Sequence, residues 1–350
     1  MEAVNDRPMS GMQMRKSHAM KVFRDAVTAL TPYMDDPGVQ EVMVNRPDDI
    51  WVERGGSMER VAIKLGEHQI AGAIKALAAA NNKDAQPILD MRLIGFRVAA
   101  VQEPFSTRGS AISIRRHMQG VKSLDQYRAD GGFDKFDWVD PLEVTRPTDL
   151  EISEGGEALQ QLLVWMVQQR KNVIVVGGTS SGKTTFLNAL LAEVPHDQRV
   201  LTIEDTAELQ ILTPNAVCLE ADEKAGVPVR ALVKLALRMR PDRIIVGEVR
   251  GGEAYDLLDA MNTGHPGSAC SLHADSPQQG LSRLETLIGM HPDASNVPHR
   301  VIQTKIGEAI DFVIFCSRRG SRRGPEQILE LKGTNDKGYE TNLLFNARRR

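Results

Sequence analysis

Cysteine is scarce in this chain. Only Cys218, Cys270 and Cys316 occur in 350 residues, far apart and never as C-x-x-C. That excludes a disulfide framework and a paired-thiolate metal site, and it points to a reducing compartment. Long apolar runs are missing too, since none approaches the roughly 20 residues that a bilayer span requires. Cationic side chains do not outnumber acidic ones: 43 Lys and Arg stand against 46 Asp and Glu, for a formal net charge of −3. The overall basic signature of a nucleic-acid binder is therefore absent. The opening Met1-Glu-Ala-Val-Asn-Asp-Arg-Pro lacks the basic-then-apolar order of an export signal. A cytoplasmic protein is expected, free to dock on a membrane partner. No repeat of solenoid period is present, and the length suffices for two domains with a substantial core.

One stretch organises what is there: Val173-Ile-Val-Val-Gly-Gly-Thr-Ser-Ser-Gly-Lys-Thr-Thr185. Four β-branched residues read as a short strand buried on both faces. A glycine-rich turn follows, then Thr184–Leu191 with helical spacing. Strand, G-x-x-x-x-G-K-T and helix, in that order, form a phosphate loop. Gly177, Gly178, Thr179, Ser180, Ser181 and Gly182 supply backbone N–H groups, and Lys183 a point charge for the β- and γ-phosphates. Thr184 offers a hydroxyl to Mg²⁺, and Thr185 belongs to the helix N-terminus that completes the anion cradle. The expected ligands are ATP and Mg²⁺.

Periodicity divides the rest. Residues 1–17 are polar and methionine-rich and are expected to be a loose arm. Met20, Phe23, Val27, Leu30 and Met34 predict one helix over 19–34. Strands are expected at Val39–Asn45, Ile50–Arg54, Gly95–Val101 and Ala111–Arg115, with a helix over Gln69–Ala80; together they make an α+β domain over 18–117. Residues 118–153 read as an interdomain linker carrying a short helix near Leu124–Tyr127. From 154 to 350 strands and helices alternate as in a parallel, helix-flanked sheet, closed by a hairpin of Gln327–Leu331 with Tyr339–Phe345.

Hydrolysis needs more than a phosphate loop: a metal site, a positioned water and a cation against developing charge. Ile244-Ile-Val-Gly247 ends in Glu248, at the strand edge where ligands of such folds sit. Glu248 could hold Mg²⁺ through water or polarise the attacking water. Thr202-Ile-Glu-Asp205 puts Glu204 and Asp205 just beyond another strand, where neighbouring side chains point opposite ways. Glu204 is taken as the water-activating base, with helix capping as the rival role. His265 and His273 lie eight residues apart across glycines with no third ligand nearby. A hydrogen bond that senses phosphate suits them better than a metal.

In order and spacing, the phosphate loop, Glu204-Asp205, Arg240-Pro-Asp-Arg-Ile-Ile-Val-Gly-Glu-Val-Arg250 and Thr263-Gly-His-Pro-Gly…Leu-His-Ala274 resemble four boxes of the type II/type IV secretion ATPase superfamily. These are its Walker A, aspartate, Walker B and histidine boxes. The wording is most similar to the conjugative-transfer (Vir/Trb-type) branch, as is the Val39–Asn45 opening. The resemblance implies a RecA-like motor after a smaller α+β N-terminal domain, a ring homo-hexamer, and membrane-embedded secretion proteins as partners at the inner face of a bacterial inner membrane. It also implies nucleotide between the two domains and N-terminal arginines that reach the phosphates. Arg115 is the first candidate for an arginine finger, Arg116 the next and Arg97 the third. Ion pairing within the motor is the rival reading for Arg240 and Arg250. The C-x-x-C zinc insertion of pilus-extension enzymes is missing, so no zinc is expected. Rival functions are a pilus-retraction motor, a nucleotide-binding scaffold with little turnover and a nucleic-acid translocase; nucleic acid is not expected as a direct ligand. The arginines at 318, 319, 322 and 323, around glycine, and those at 348–350 read as a solvated or partner-docking loop rather than a nucleic-acid surface.

Overall fold

In the computed structural model, residues 11–80, 86–117, 123–134 and 145–348 are described. The chain forms two compact units, Met1–Pro141 and Leu142–Arg350. Residues 1–10 of the expected arm, much of the expected linker, and Arg349 and Arg350 lie outside the described residues.

In the first unit α1 (Gly11–Ala26) is followed by a 3-10 turn, Thr28–Leu30, and by α2 (Thr31–Asp35). The helix expected over 19–34 is therefore interrupted. The Thr28 hydroxyl donates to the carbonyls of Arg24 and Asp25, and Pro32 has no N–H to continue the ladder. At its other end the helix begins inside the expected arm. Met, Gln, Arg and Lys are good helix formers, and extending a helix already anchored by buried Ala19 and Phe23 adds one bond per residue.

Six strands follow: β1 (Val39–Arg46), β2 (Asp49–Arg54), β3 (Ser57–Val61), β4 (Ile88–Leu93), β5 (Phe96–Val101) and β6 (Ala111–Arg116). They form an antiparallel sheet in the order β3-β2-β1-β6-β5-β4. Helix α3 (Glu67–Ala80) joins β3 to β4. Apolar side chains of α1, α3 and one sheet face, among them Phe23, Ile74, Val98 and Ile114, make this unit's core. The edge strands β3 and β4 were not expected. β3 buries no residue, and β4 buries only alternate ones.

A short helix α4 (Leu124–Ala129) is closed by a Ser123/Gln126 capping box. The second unit opens with α5 (Asp149–Glu154), capped by Thr148 and Glu151, and α6 (Gly156–Gln168). Ile152 of α5 is fully buried in the second unit's core, so residues 149–153 belong to the motor unit rather than to a linker.

Its remaining elements are β7 (Val173–Val176), α7 (Lys183–Leu191), β8 (Val200–Glu204), β9 (Ala216–Glu220), α8 (Val229–Ala236), β10 (Arg243–Val246), α9 (Glu253–Asn262), β11 (Ala269–Leu272), α10 (Pro277–Gly289), α11 (His299–Ala309), β12 (Phe312–Arg319), β13 (Arg322–Asn335) and β14 (Gly338–Asn346). The eight strands run β14-β13-β12-β7-β11-β10-β8-β9. The six from β12 to β9 are mutually parallel, while β13 and β14 return antiparallel. All residues of β7, β10 and β11 are buried, as parallel strands covered on both faces require. This is an α/β fold with a smaller α+β unit before it. Among the described residues no helix is long and apolar enough to cross a membrane.

Candidate active site

The phosphate loop leaves the carboxyl end of β7, where a doubly wound sheet binds ligands. Ser180 (φ 59°) and Gly182 (φ 89°) both turn left-handed to bend it. Gly177 is required for space: a Cβ there would strike the Cys316 carbonyl and come within 2.6 Å of Ser181 Oγ. The Ser181 hydroxyl is buried without a hydrogen-bond partner, an orphaned donor inside a cradle of backbone N–H groups. Lys183, the first residue of α7, is buried, and its ammonium donates to the carbonyls of Gly177 (2.9 Å) and Gly178 (3.2 Å). Burial holds its pKa below the ordinary lysine value, against the pull of Glu248. A buried ammonium resting on weak neutral acceptors is poised for anionic oxygens. The residues present thus fit a polyphosphate.

Glu248 follows β10 across the same edge. Its carboxylate accepts from Arg250 at 2.7 Å and lies 3.1 Å from His273 Nε2. Burial would raise its pKa, but Arg250, His273 and Lys183 outweigh burial and hold it below the usual carboxylate value. Arg250 also pairs with Asp205 at 2.9 Å, bridging the turns after β8 and β10. Of the adjacent acids, Asp205 is turned out onto that arginine, while Glu204 is turned in and 5% exposed. One Glu204 oxygen accepts the N–H groups of Glu208 (2.9 Å) and Leu209 (3.0 Å). Burial nevertheless raises its pKa, against those two bonds. Gly247 is packed against it: an added Cβ would lie 2.9 Å from Glu204 Cγ.

The two histidines part company. His273 follows the carboxyl end of β11 and joins Glu248. His265 precedes β11, and its Nδ1 meets the Pro241 carbonyl at 3.1 Å, ahead of β10. The expectation that His265 contacts nucleotide is corrected, because the length of a parallel strand separates it from the loop. At that far edge Arg240 pairs with Asp242 at 2.9 Å. Arg243 is fully buried, donating to Val167, Gly267 and Gln198. Burial pushes its pKa down to about 10.

The candidate arginines of the first unit differ as sharply. Arg116 donates to the carbonyls of Val39, Met34 and Asp36 and lies over the Phe96 ring. Its guanidinium holds the end of α2, which runs against the expectation that it binds nucleotide. Arg97 is bidentate to Asp90 at 2.7 and 2.9 Å. Arg115, on the opposite face from Arg116, is 67% exposed and 3.9 Å from the buried carboxylate of Glu41. All three cysteines are free and buried.

A family model described as "Type II/IV secretion system protein" matches residues 148–317. The conjugal transfer protein TrbB of Rhizobium radiobacter is 32% identical over 320 residues, spanning 88% of each chain. The type IV secretion system protein VirB11 of Brucella suis is 34% identical over 302 residues, 81% of this chain and 82% of that one. The crystal structure of the VirB11 ATPase from the Brucella suis type IV secretion system, in complex with sulphate, superposes with a TM-score of 0.80 at 29% identity. That match covers 90% of this chain and 96% of the other.

Proposed function

Because this chain belongs to the type II/IV secretion system protein family, we propose that it is an ATP hydrolase that powers type IV secretion or conjugative transfer. One observation carries the reading: Lys183, Glu248, His273 and Glu204 converge on one edge of a parallel sheet, around a loop that fits a polyphosphate.

In this reading Lys183 exchanges its two loop carbonyls for β- and γ-phosphate oxygens, while the α7 N-terminus and loop N–H groups hold the rest of the chain. Thr184 and Glu248 would hold Mg²⁺, which when bound would offset the negative charge of the phosphates. Glu204 takes the proton of the attacking water: burial keeps its carboxylate basic, and the Glu208 and Leu209 amides fix its direction. His273 reports the γ-phosphate to Glu248. Arg115, whose guanidinium is exposed, supplies the cation against charge developing on the γ-phosphate. The working form is a homo-hexameric ring at the inner face of a bacterial inner membrane, engaged with membrane-embedded proteins of the apparatus.

Steady-state ATPase of the wild type and Lys183→Ala tests the assignment. The variant should lose turnover below detection, and undiminished hydrolysis would sink it. A wild type that binds ATP but never turns it over, even with its membrane partners, would identify a scaffold instead.

A further inference from the structure

The hairpin of β12 and β13 does not stop with the sheet. β7 ends opposite Phe315, whereas β12 runs on to Arg319 and β13 begins at Arg322. The stretch expected to be a loop is thus a paired ribbon rising beside the phosphate loop, with Arg318 opposite Arg323 and Arg319 opposite Arg322.

Like charges directly opposite on one sheet face repel, and the two pairs meet this differently. Arg319 is neutralised by buried Glu326 at 2.7 Å, a carboxylate shared with Arg348. Neither Arg318 nor Arg323 has a carboxylate partner among the described residues; Arg318 reaches only the Gly320 carbonyl, at 3.4 Å. The face they occupy is set by a close approach. Arg323 Cβ lies 3.2 Å from where a Cβ of Gly182 would stand, immediately ahead of α7. Arg323 therefore stems from beside the anion cradle, with Arg318 opposite it on the same ribbon face.

The sheet order says which end of a nucleotide they meet. Glu248, His273 and Glu204 lie at the ends of β10, β11 and β8, all on one side of β7; β12 and β13 lie on the other. With the γ-phosphate held toward the carboxylates, the nucleoside end leaves across the hairpin. We infer that Arg318 and Arg323 clamp the nucleotide at its α-phosphate, Arg323 being the nearer. This rests on the ATP-hydrolase reading.

A cation on the α-phosphate contributes equally to ground and transition states, so its loss should raise KM and spare kcat. Calorimetric titration of ADP into wild type, Lys183→Ala, Arg323→Ala and Arg322→Ala, with steady-state ATPase alongside, tests this. Arg323→Ala should bind ADP on the order of tenfold more weakly, as expected for one charge-assisted hydrogen bond. Its KM for ATP should rise in parallel and its kcat stay near wild type. Arg322→Ala, on the other face, should match wild type in all three. Wild-type ADP affinity in Arg323→Ala would overturn the clamp, as would an equal loss in Arg322→Ala or a fall in kcat at unchanged KM. The hydrolase reading would survive each of these. A wild type that binds no ADP would overturn that reading and the clamp together.

Discussion

At the scale of single residues, Glu204 shows how burial makes chemistry. Its carboxyl is raised above the ordinary glutamate value by burial, partly offset by two backbone amides. A raised carboxyl means that the folded chain holds its proton more tightly than the unfolded chain does. Its ionisation therefore costs stability, and that cost sets in as pH rises from the ordinary value of 4.5. Glu204→Gln keeps an oxygen for both amides and removes the ionisation. The variant should be at least as resistant to urea as wild type at neutral pH, bind ATP normally and lose nearly all turnover. In wild type the acid limb of the kcat profile should stand above that of an ordinary glutamate, because the base works only when deprotonated. An acid limb in wild type at or below pH 4.5, or a Gln variant with wild-type kcat, would remove Glu204 from the base role.

At the scale of elements, a buried arginine ties the far edge of the second sheet to its neighbours. Arg243 joins the end of α6, through the Val167 carbonyl at 2.7 Å, to the turn before β11, through Gly267 at 3.2 Å. Arg243→Met removes the donors and leaves those carbonyls buried. Hydrogen bonds from a charged donor are worth about 1.5–3 kcal/mol each, so urea unfolding should show a loss of about 3 kcal/mol. ADP affinity of the folded fraction should be unchanged, since the phosphate loop lies at the other edge. Unaltered stability would show that the carbonyls find other donors. The elements legible in the sequence were those whose pattern is local. β7 and β10 are continuous apolar runs, and α10 carries one apolar stripe. β3 was illegible because it buries no residue, whereas β4 carries an alternation of buried Leu89, Met91 and Leu93 that was there to be read. The β12–β13 ribbon was illegible because its arginines resemble a solvated loop until Glu326 and the phosphate loop are placed beside them.

At the scale of the whole molecule, the two units fold around separate cores. The proposed ring must then respond to nucleotide through differential binding to its states. Mass measured by light scattering should rise to six copies with ATP and Mg²⁺ and stay there in Glu204→Gln, which binds without turning over. A species that remains monomeric at every nucleotide and protein concentration would refute the ring.

The chain's own order of residues determined the phosphate loop, because an anion cradle is contiguous backbone whose geometry its glycines dictate. It also placed Glu248, a carboxylate that ends a buried strand. Tertiary structure alone decided which neighbours share a site. Arg115 and Arg116 are adjacent in sequence, yet pleating turns one outward and the other onto the carbonyls of Met34, Asp36 and Val39. His265 and His273 belong to one short motif, yet β11 sets them at opposite edges of the sheet, about 13 Å of strand apart. Arg323, 141 positions beyond Gly182, lies against it because β12 pairs with β7 and the ribbon carries on past the sheet.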